Sequence, residues 1–177
     1  FPHSDVFMLG AFAGWYGAEK FRLPEGSILK GLAVLAFAMA VCSVLGVVIE
    51  KLAYKPLRNR STLTVLITAI GVSLLIQNVA QNKDLGFGPN PRSFKSPFPE
   101  SQLHIGQLSI STNQLAVLAV SLALLALLYW IVHHTKIGTA MRALSYNATA
   151  ASLVGINNDR IISFTFALGS ALAGAGA

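Results

Sequence analysis

Charge is what this sequence has least of. Asp, Glu, Lys and Arg make up 11% of its 177 residues, where a soluble domain carries about a quarter. Hydrophobic residues make up 54% and mean hydropathy is +0.61, which places the chain in lipid. Cysteine is nearly absent. Cys42 stands alone inside an apolar run, so no disulfide framework exists and no redox compartment can be inferred. The sequence has no phosphate loop of the GxxxxGK-Ser/Thr kind, and Gly86-Phe87-Gly88 is a lone weak match in a proline-rich turn. His133 and His134 are adjacent, so on a helix they point about 100° apart and make a poor metal pair. His3 and His104 lack companions at ligand spacing, and no serine or cysteine carries a nucleophile signature. The net charge of +6 and pI near 9.8 do not indicate nucleic acid, because the basic residues are scattered through connecting segments without a basic, aromatic-interleaved face. The glycosylation-type triplets at Asn59 and Asn147 fall on the side assigned below to the interior and are read as chance matches.

What the chain does have is long apolar runs. Residues 31–49, 62–80 and 114–132 contain no Asp, Glu, Lys or Arg, and each has about the twenty residues that a helix needs to cross ~30 Å of hydrocarbon. Residues 161–177 start another span, and residues 5–18 form a shorter segment, roughly 20 Å long as a helix. The expected class is all-α, a polytopic helical membrane protein with a single transmembrane domain. The absence of a starting methionine and the stop at Ala177 inside an apolar run suggest a piece truncated at both ends. For the short first segment, with Pro2 before it and Ser4 and Asp5 as candidate caps, two readings stand. It is a broken helix lining a cavity at membrane depth, or an ordinary span that truncation has shortened.

Loop charge sets an orientation. Residues 50–61 carry Lys51, Lys55, Arg58 and Arg60 against Glu50; residues 133–160 carry Lys136, Arg142 and Arg160 against Asp159, with His133 and His134. Two spans separate these links, so they share a side, and their basic excess favours the cytoplasm. The outer segment 81–113 has turn signals at 86–91 and 96–100, and the alternation of LHIGQLSIS suits a small hairpin.

The segment 133–160 is too long to be a mere connection. It reads as a helix over 139–154 lying between two spans, capped by Thr139, with Met141, Leu144, Ala148 and Ala151 at helical spacing and Gly155 closing its end. Asn158 or Asp159 caps the helix that follows. A short helix with an apolar stripe and few charges in this place is a docking element. Within the spans the polar groups are neutral: Thr68, Ser73, Gln77, Asn78, Thr165 and Ser170. They bond between helices or line a substrate path. Asp5, the one acid near a membrane segment, is expected to cap a helix. Without ionisable groups at depth, ion coupling is disfavoured, and a transporter of this kind draws its energy through a cytoplasmic contact. Gly71 and the small residues Ala167, Gly169, Ser170, Ala171, Ala173 and Gly174 mark close helix approaches.

Three stretches carry a resemblance. GTAMRALSYNATAASLVGINNDRIISFTFALGSALAGAGA, AYKPLRNRSTLTVLITAIGVSLLIQN and HSDVFMLGAFAGW closely resemble the permease subunits of branched-chain amino-acid ABC importers. The likeness covers nearly the whole chain and is weakest in the outer loop. Thr149-Ala150-Ala151 followed by Gly155 is similar to the importer pattern Glu-Ala-Ala, three residues, then Gly, with Thr149 departing from the Glu. Pro2 and Ser4 stand where the family often shows Ala and Gly. The resemblance implies that Thr139, Met141, Arg142, Leu144, Thr149, Ala150, Ala151 and Gly155 couple this chain to a cytoplasmic ATPase. It implies a second permease subunit and a periplasmic amino-acid-binding protein as further partners. ATP is then used by the partner and no cofactor is bound by this chain, which would lie in a bacterial or archaeal cytoplasmic membrane. The expected cargo is leucine, isoleucine or valine, with Ser4, Asp5, Thr68, Ser73, Gln77 and Asn78 along its path. Urea or a short amide is the alternative cargo, and a secondary transporter or channel, or a structural subunit, the alternative machine.

Overall fold

A backbone group in hydrocarbon has no water to bond, so each segment must close its own hydrogen bonds, and this chain does so as helices. The computed structural model describes residues 3–20, 27–58, 60–82, 88, 102–105 and 108–177. Helix α1 is His3–Lys20 and α2 is Ile28–Ile49. The second helix runs on through a π turn, Glu50–Tyr54, and a 3-10 turn, Lys55–Leu57. Then come α3 (Thr62–Gln81), strands β1 (Gln102–Ile105) and β2 (Leu108–Ser111), and α4 (Thr112–His134). Helices α5 (Lys136–Tyr146), α6 (Ala148–Leu153) and α7 (Asn158–Ala175) complete the chain.

Among the described residues three helices are long and apolar enough to cross a membrane: Ile28–Leu57, Leu63–Gln81 and Thr112–His134. They overlap the expected spans 31–49, 62–80 and 114–132, the first extending well beyond its expected end. The expected hairpin is also present, with β1 antiparallel to β2 and Ile105 paired with Leu108. It is the one strand pair among the described residues of an otherwise all-α fold. The turn signals at 86–91 and 96–100 lie outside the described residues, Gly88 apart, as do Pro2 and Asn59.

The basic link expected at 50–61 is mostly helix instead. Its one acid, Glu50, is fully buried and pairs with Arg58. An ion taken out of water needs a partner of opposite charge, and the extra residue of the π turn lies between the two charges.

The chain forms two compact units, Phe1–Pro99 with Ala167–Ala177, and Glu100–Phe166. In the first, α1 packs antiparallel on α2. Val6, Cys42 and Ile49 are buried together, with Tyr54, Val72, Ile76 and Ala173 packed around them. The Cys42 thiol points at the Val6 carbonyl, 3.5 Å away. Small residues let backbones approach here: a Cβ on Gly10 would lie 3.0 Å from the Gly174 Cα. Gly71 departs from this pattern. It is exposed with nothing within 4 Å of where its Cβ would be, so it marks no close approach among the described residues. A small residue permits a crossing without making one. In the second unit α4 has no buried residue at all, and Leu118, Leu122 and Leu125 are exposed. A surface this apolar suits lipid or other helices rather than water.

Candidate functional site

The segment between α4 and α7 is built from side chains that cap backbone. Thr135 breaks the helix in extended conformation (φ −113°, ψ 156°) and its Oγ1 accepts from the Gly138 N–H at 3.1 Å. It therefore caps α5 one turn before the expected Thr139, whose hydroxyl donates back to the Thr135 carbonyl at 3.2 Å. Gly138 is buried in the elbow, where a Cβ would lie 2.3 Å from both the Ile131 and Val132 carbonyl oxygens. Only hydrogen fits there.

The docking helix expected over 139–154 is two helices. Asn147 is extended (φ −156°, ψ 105°), and its Oδ1 accepts from the N–H groups of Thr149 and Ala150, both at 3.0 Å. An asparagine side chain that satisfies two orphan donors offers the backbone an alternative to continuing the helix. The Asn-Ala-Thr triplet is thus a cap. Asn147→Ala is expected to cost about 1 kcal/mol locally, seen as faster hydrogen exchange at Thr149 and Ala150. Asn147→Asp should keep their protection.

The far end closes as the glycine signal implied. Gly155 has φ +88°, its N–H reaches the Ser152 carbonyl at 3.1 Å, and that of Ile156 reaches the Ala151 carbonyl at 3.1 Å. The next cap is Asn157, accepting from the Arg160 N–H at 3.1 Å, rather than Asn158 or Asp159. Asn158 instead donates to the Ala148 carbonyl at 2.9 Å, tying α6 to the start of α7.

Among the expected coupling residues, Thr139, Arg142, Thr149 and Ala150 are exposed and Met141 and Leu144 half-buried. Ala151 is 3% exposed and faces its own chain, so it holds α6 in place instead of meeting a partner. Sequence reasoning passed over three residues. Tyr146, Leu153 and Val154 are 92%, 83% and 78% exposed, the most exposed large apolar side chains described. The available signal was their size in a segment otherwise of small and polar residues.

A second constellation joins α1 to α3. Asp5 is 3% exposed, with Oδ1 accepting from Gln77 Nε2 at 2.8 Å and Oδ2 accepting from the Ser73 hydroxyl. Ser73 and Gln77 are one turn apart on one face of α3, and Gln77 Nε2 also lies 3.3 Å from Ser73 Oγ. Asp5 is therefore an interhelical acceptor, not the cap expected of it. Ser73 lies about 16 Å along α3 from Thr62, near the middle of a ~30 Å span. Of the other expected path residues, Thr68 bonds to the Thr64 carbonyl at 2.9 Å and Asn78 to that of Leu74 at 2.8 Å, each within its own helix. Ser4 is exposed. The structure brings Asp5, Ser73 and Gln77 together and leaves these three apart.

Comparison with known proteins completes the picture. Residues 1–177 match the family described as "Branched-chain amino acid transport system / permease component". The chain is 32% identical over 181 residues to the high-affinity branched-chain amino acid transport system permease protein LivH of Escherichia coli K12. It is 33% identical over 180 residues to LivH of Salmonella typhimurium, and 30% over 176 to BraD of Pseudomonas aeruginosa. Each alignment takes in 98% of this chain and 57% of the relative, so the chain spans just over half the length of these relatives. No solved structure matches.

Proposed function

This chain belongs to the permease component family of branched-chain amino acid transport systems, and from that we propose that it is the membrane-spanning, non-catalytic part of an ATP-driven importer of leucine, isoleucine and valine. Its partners are a cytoplasmic ATPase, which alone uses ATP, a second permease subunit and a periplasmic binding protein. Its place is the bacterial cytoplasmic membrane, crossed several times.

The observation that carries the coupling role is the exposed apolar surface of Tyr146, Leu153 and Val154. On the same two helices Thr139, Arg142, Thr149 and Ala150 are exposed as well, Met141 and Leu144 are half-buried, and Gly155 ends α6. Large apolar side chains held out in a water-facing link are the anchors of an interface, and partners burying them gain most of their affinity there. Capped ends and a glycine elbow make the segment stiff, which suits passing a push from an ATPase into α4. Asp5, Ser73 and Gln77 supply the polar side of the cargo path.

The test is leucine-stimulated ATP hydrolysis by the full-length permease, reconstituted in liposomes with its ATPase and binding protein. Stimulation by leucine and not by urea or acetamide is the expected result. Stimulation by urea alone would keep the machine and replace the cargo. Leu153→Asp is expected to lower stimulation at least tenfold and to release the ATPase on purification, at unchanged permease abundance. A Leu153→Asp complex that stays assembled and coupled would remove α6 from the interface.

A further inference from the structure

The Asp5 carboxylate is an acid buried near mid-span whose partners among the described residues are neutral. Ser73 and Gln77 donate to it, and among the described residues no lysine, arginine or histidine pairs with it. Compare Glu50, the other fully buried acid described, which has Arg58. Ionisable groups at membrane depth are costly and are kept where a mobile charge or ligand meets them. Two neutral hydrogen bonds solvate a carboxylate without neutralising it.

We propose that Asp5, with Ser73 and Gln77, forms the subsite for the ammonium group of the transported amino acid. The inference rests on the importer reading above and deepens it. An ammonium has three donors and one positive charge, the complement of what Asp5 lacks. Ser73 and Gln77 hold the two carboxylate oxygens while no cargo is bound, standing in for two ammonium N–H groups. Gln77 can release Oδ1 without losing a partner, because its Nε2 already lies 3.3 Å from Ser73 Oγ. Val72 and Ile76, the sequence neighbours of Ser73 and Gln77 on α3, are partly buried against the Val6 core and supply apolar surface for an aliphatic side chain. Opening the space between α1 and α3 exposes the carboxylate, and closing it returns Ser73 and Gln77. The subsite selects for a charged amine over a neutral amide, which separates leucine from urea by chemistry within the membrane as well as at the binding protein.

The experiment uses the full-length permease–ATPase complex in nanodiscs, without the binding protein, titrated calorimetrically with three probes. Leucine carries both charged ends, 3-methylbutylamine only the ammonium, and 4-methylpentanoate only the carboxylate. Asp5→Asn, which keeps the side-chain shape, is expected to weaken leucine and 3-methylbutylamine at least tenfold and 4-methylpentanoate less than twofold. Asp5→Glu should retain the preference for the amine. Equal weakening of all three probes would make Asp5 a mere tie between α1 and α3, and no weakening of any would remove it from the path; either overturns the inference and leaves the importer reading standing. If the wild-type complex binds urea and not leucine, the amino-acid cargo reading fails and takes this inference with it.

Discussion

Gly138→Ala is expected to abolish leucine-stimulated ATP hydrolysis, by at least tenfold, in the reconstituted complex. The constraint is steric. The added Cβ would sit 2.3 Å from the carbonyl oxygens of Ile131 and Val132 and 2.5 Å from the Val132 carbonyl carbon. These are backbone atoms near the end of α4, so no side-chain rotation relieves them. Either the elbow opens or α4 unwinds at its end, and overpacking of this kind costs about 1–3 kcal/mol or more. Opening the elbow also breaks the Gly138 N–H bond to Thr135 Oγ1, which sets where α5 begins. The docking surface then points elsewhere, even where the protein still inserts. Gly71→Ala is the matched control. It lies within α3, is exposed and has nothing within 4 Å of its would-be Cβ. It should be silent or slightly stabilising, since alanine is the better helix former by about 1 kcal/mol. Two glycine-to-alanine variants with the same activity would show that the elbow is not a constraint.

That contrast also shows what a single sequence can reveal. Hydropathy located the three spans because apolar length is a local property, and alternation located β1 and β2 for the same reason. Gly155 was legible because a left-handed residue after an apolar helix leaves few choices but glycine. The break at Asn147 was not. Apolar periodicity runs through it from Met141 to Ala151, and the outcome was decided by one amide oxygen competing with the helix for two N–H groups. Thr139 reads as the cap from sequence, and Thr135 takes that place because the course of α4 decides where α5 begins. Asp5 reads as a cap from sequence because its true partners, Ser73 and Gln77, are 68 and 72 residues away. Their spacing of four did show that they share a face. Ala151 was placed at the docking surface by pattern, yet burial depends on which side of α6 its own chain covers. Gly71 and Gly174 are the same residue in similar surroundings, and only the neighbouring helix tells them apart.

Gly174→Ala makes that last distinction measurable, and it is expected to lower the melting temperature of the purified permease by several degrees. A Cβ there would lie 2.8 Å from the Ala38 carbonyl oxygen and from both Cβ and Sγ of Cys42. Gly10 closes the other side, its own would-be Cβ 3.0 Å from the Gly174 Cα. The end of α7 is thus held where α1 and α2 meet. Two effects oppose each other. Alanine gains up to about 1 kcal/mol in helix propensity, while overpacking loses about 1–3 kcal/mol. The second wins here because one of the three contacts is backbone and cannot turn aside. Hydrocarbon gives helices little hydrophobic reason to associate, so the contact made by small residues is the force that holds the crossing together, and losing it matters more than in water. Cys42→Ala removes the Sγ contact and leaves the Ala38 oxygen and residue 42 Cβ in place. The double variant should therefore recover part of the loss and not all of it. Full recovery would mean that the thiol alone sets the spacing of α7 from α2. No loss in the single variant would mean that α7 slides freely past α2, and that Ser170 and Gly174 are buried by a loose contact instead of a close one.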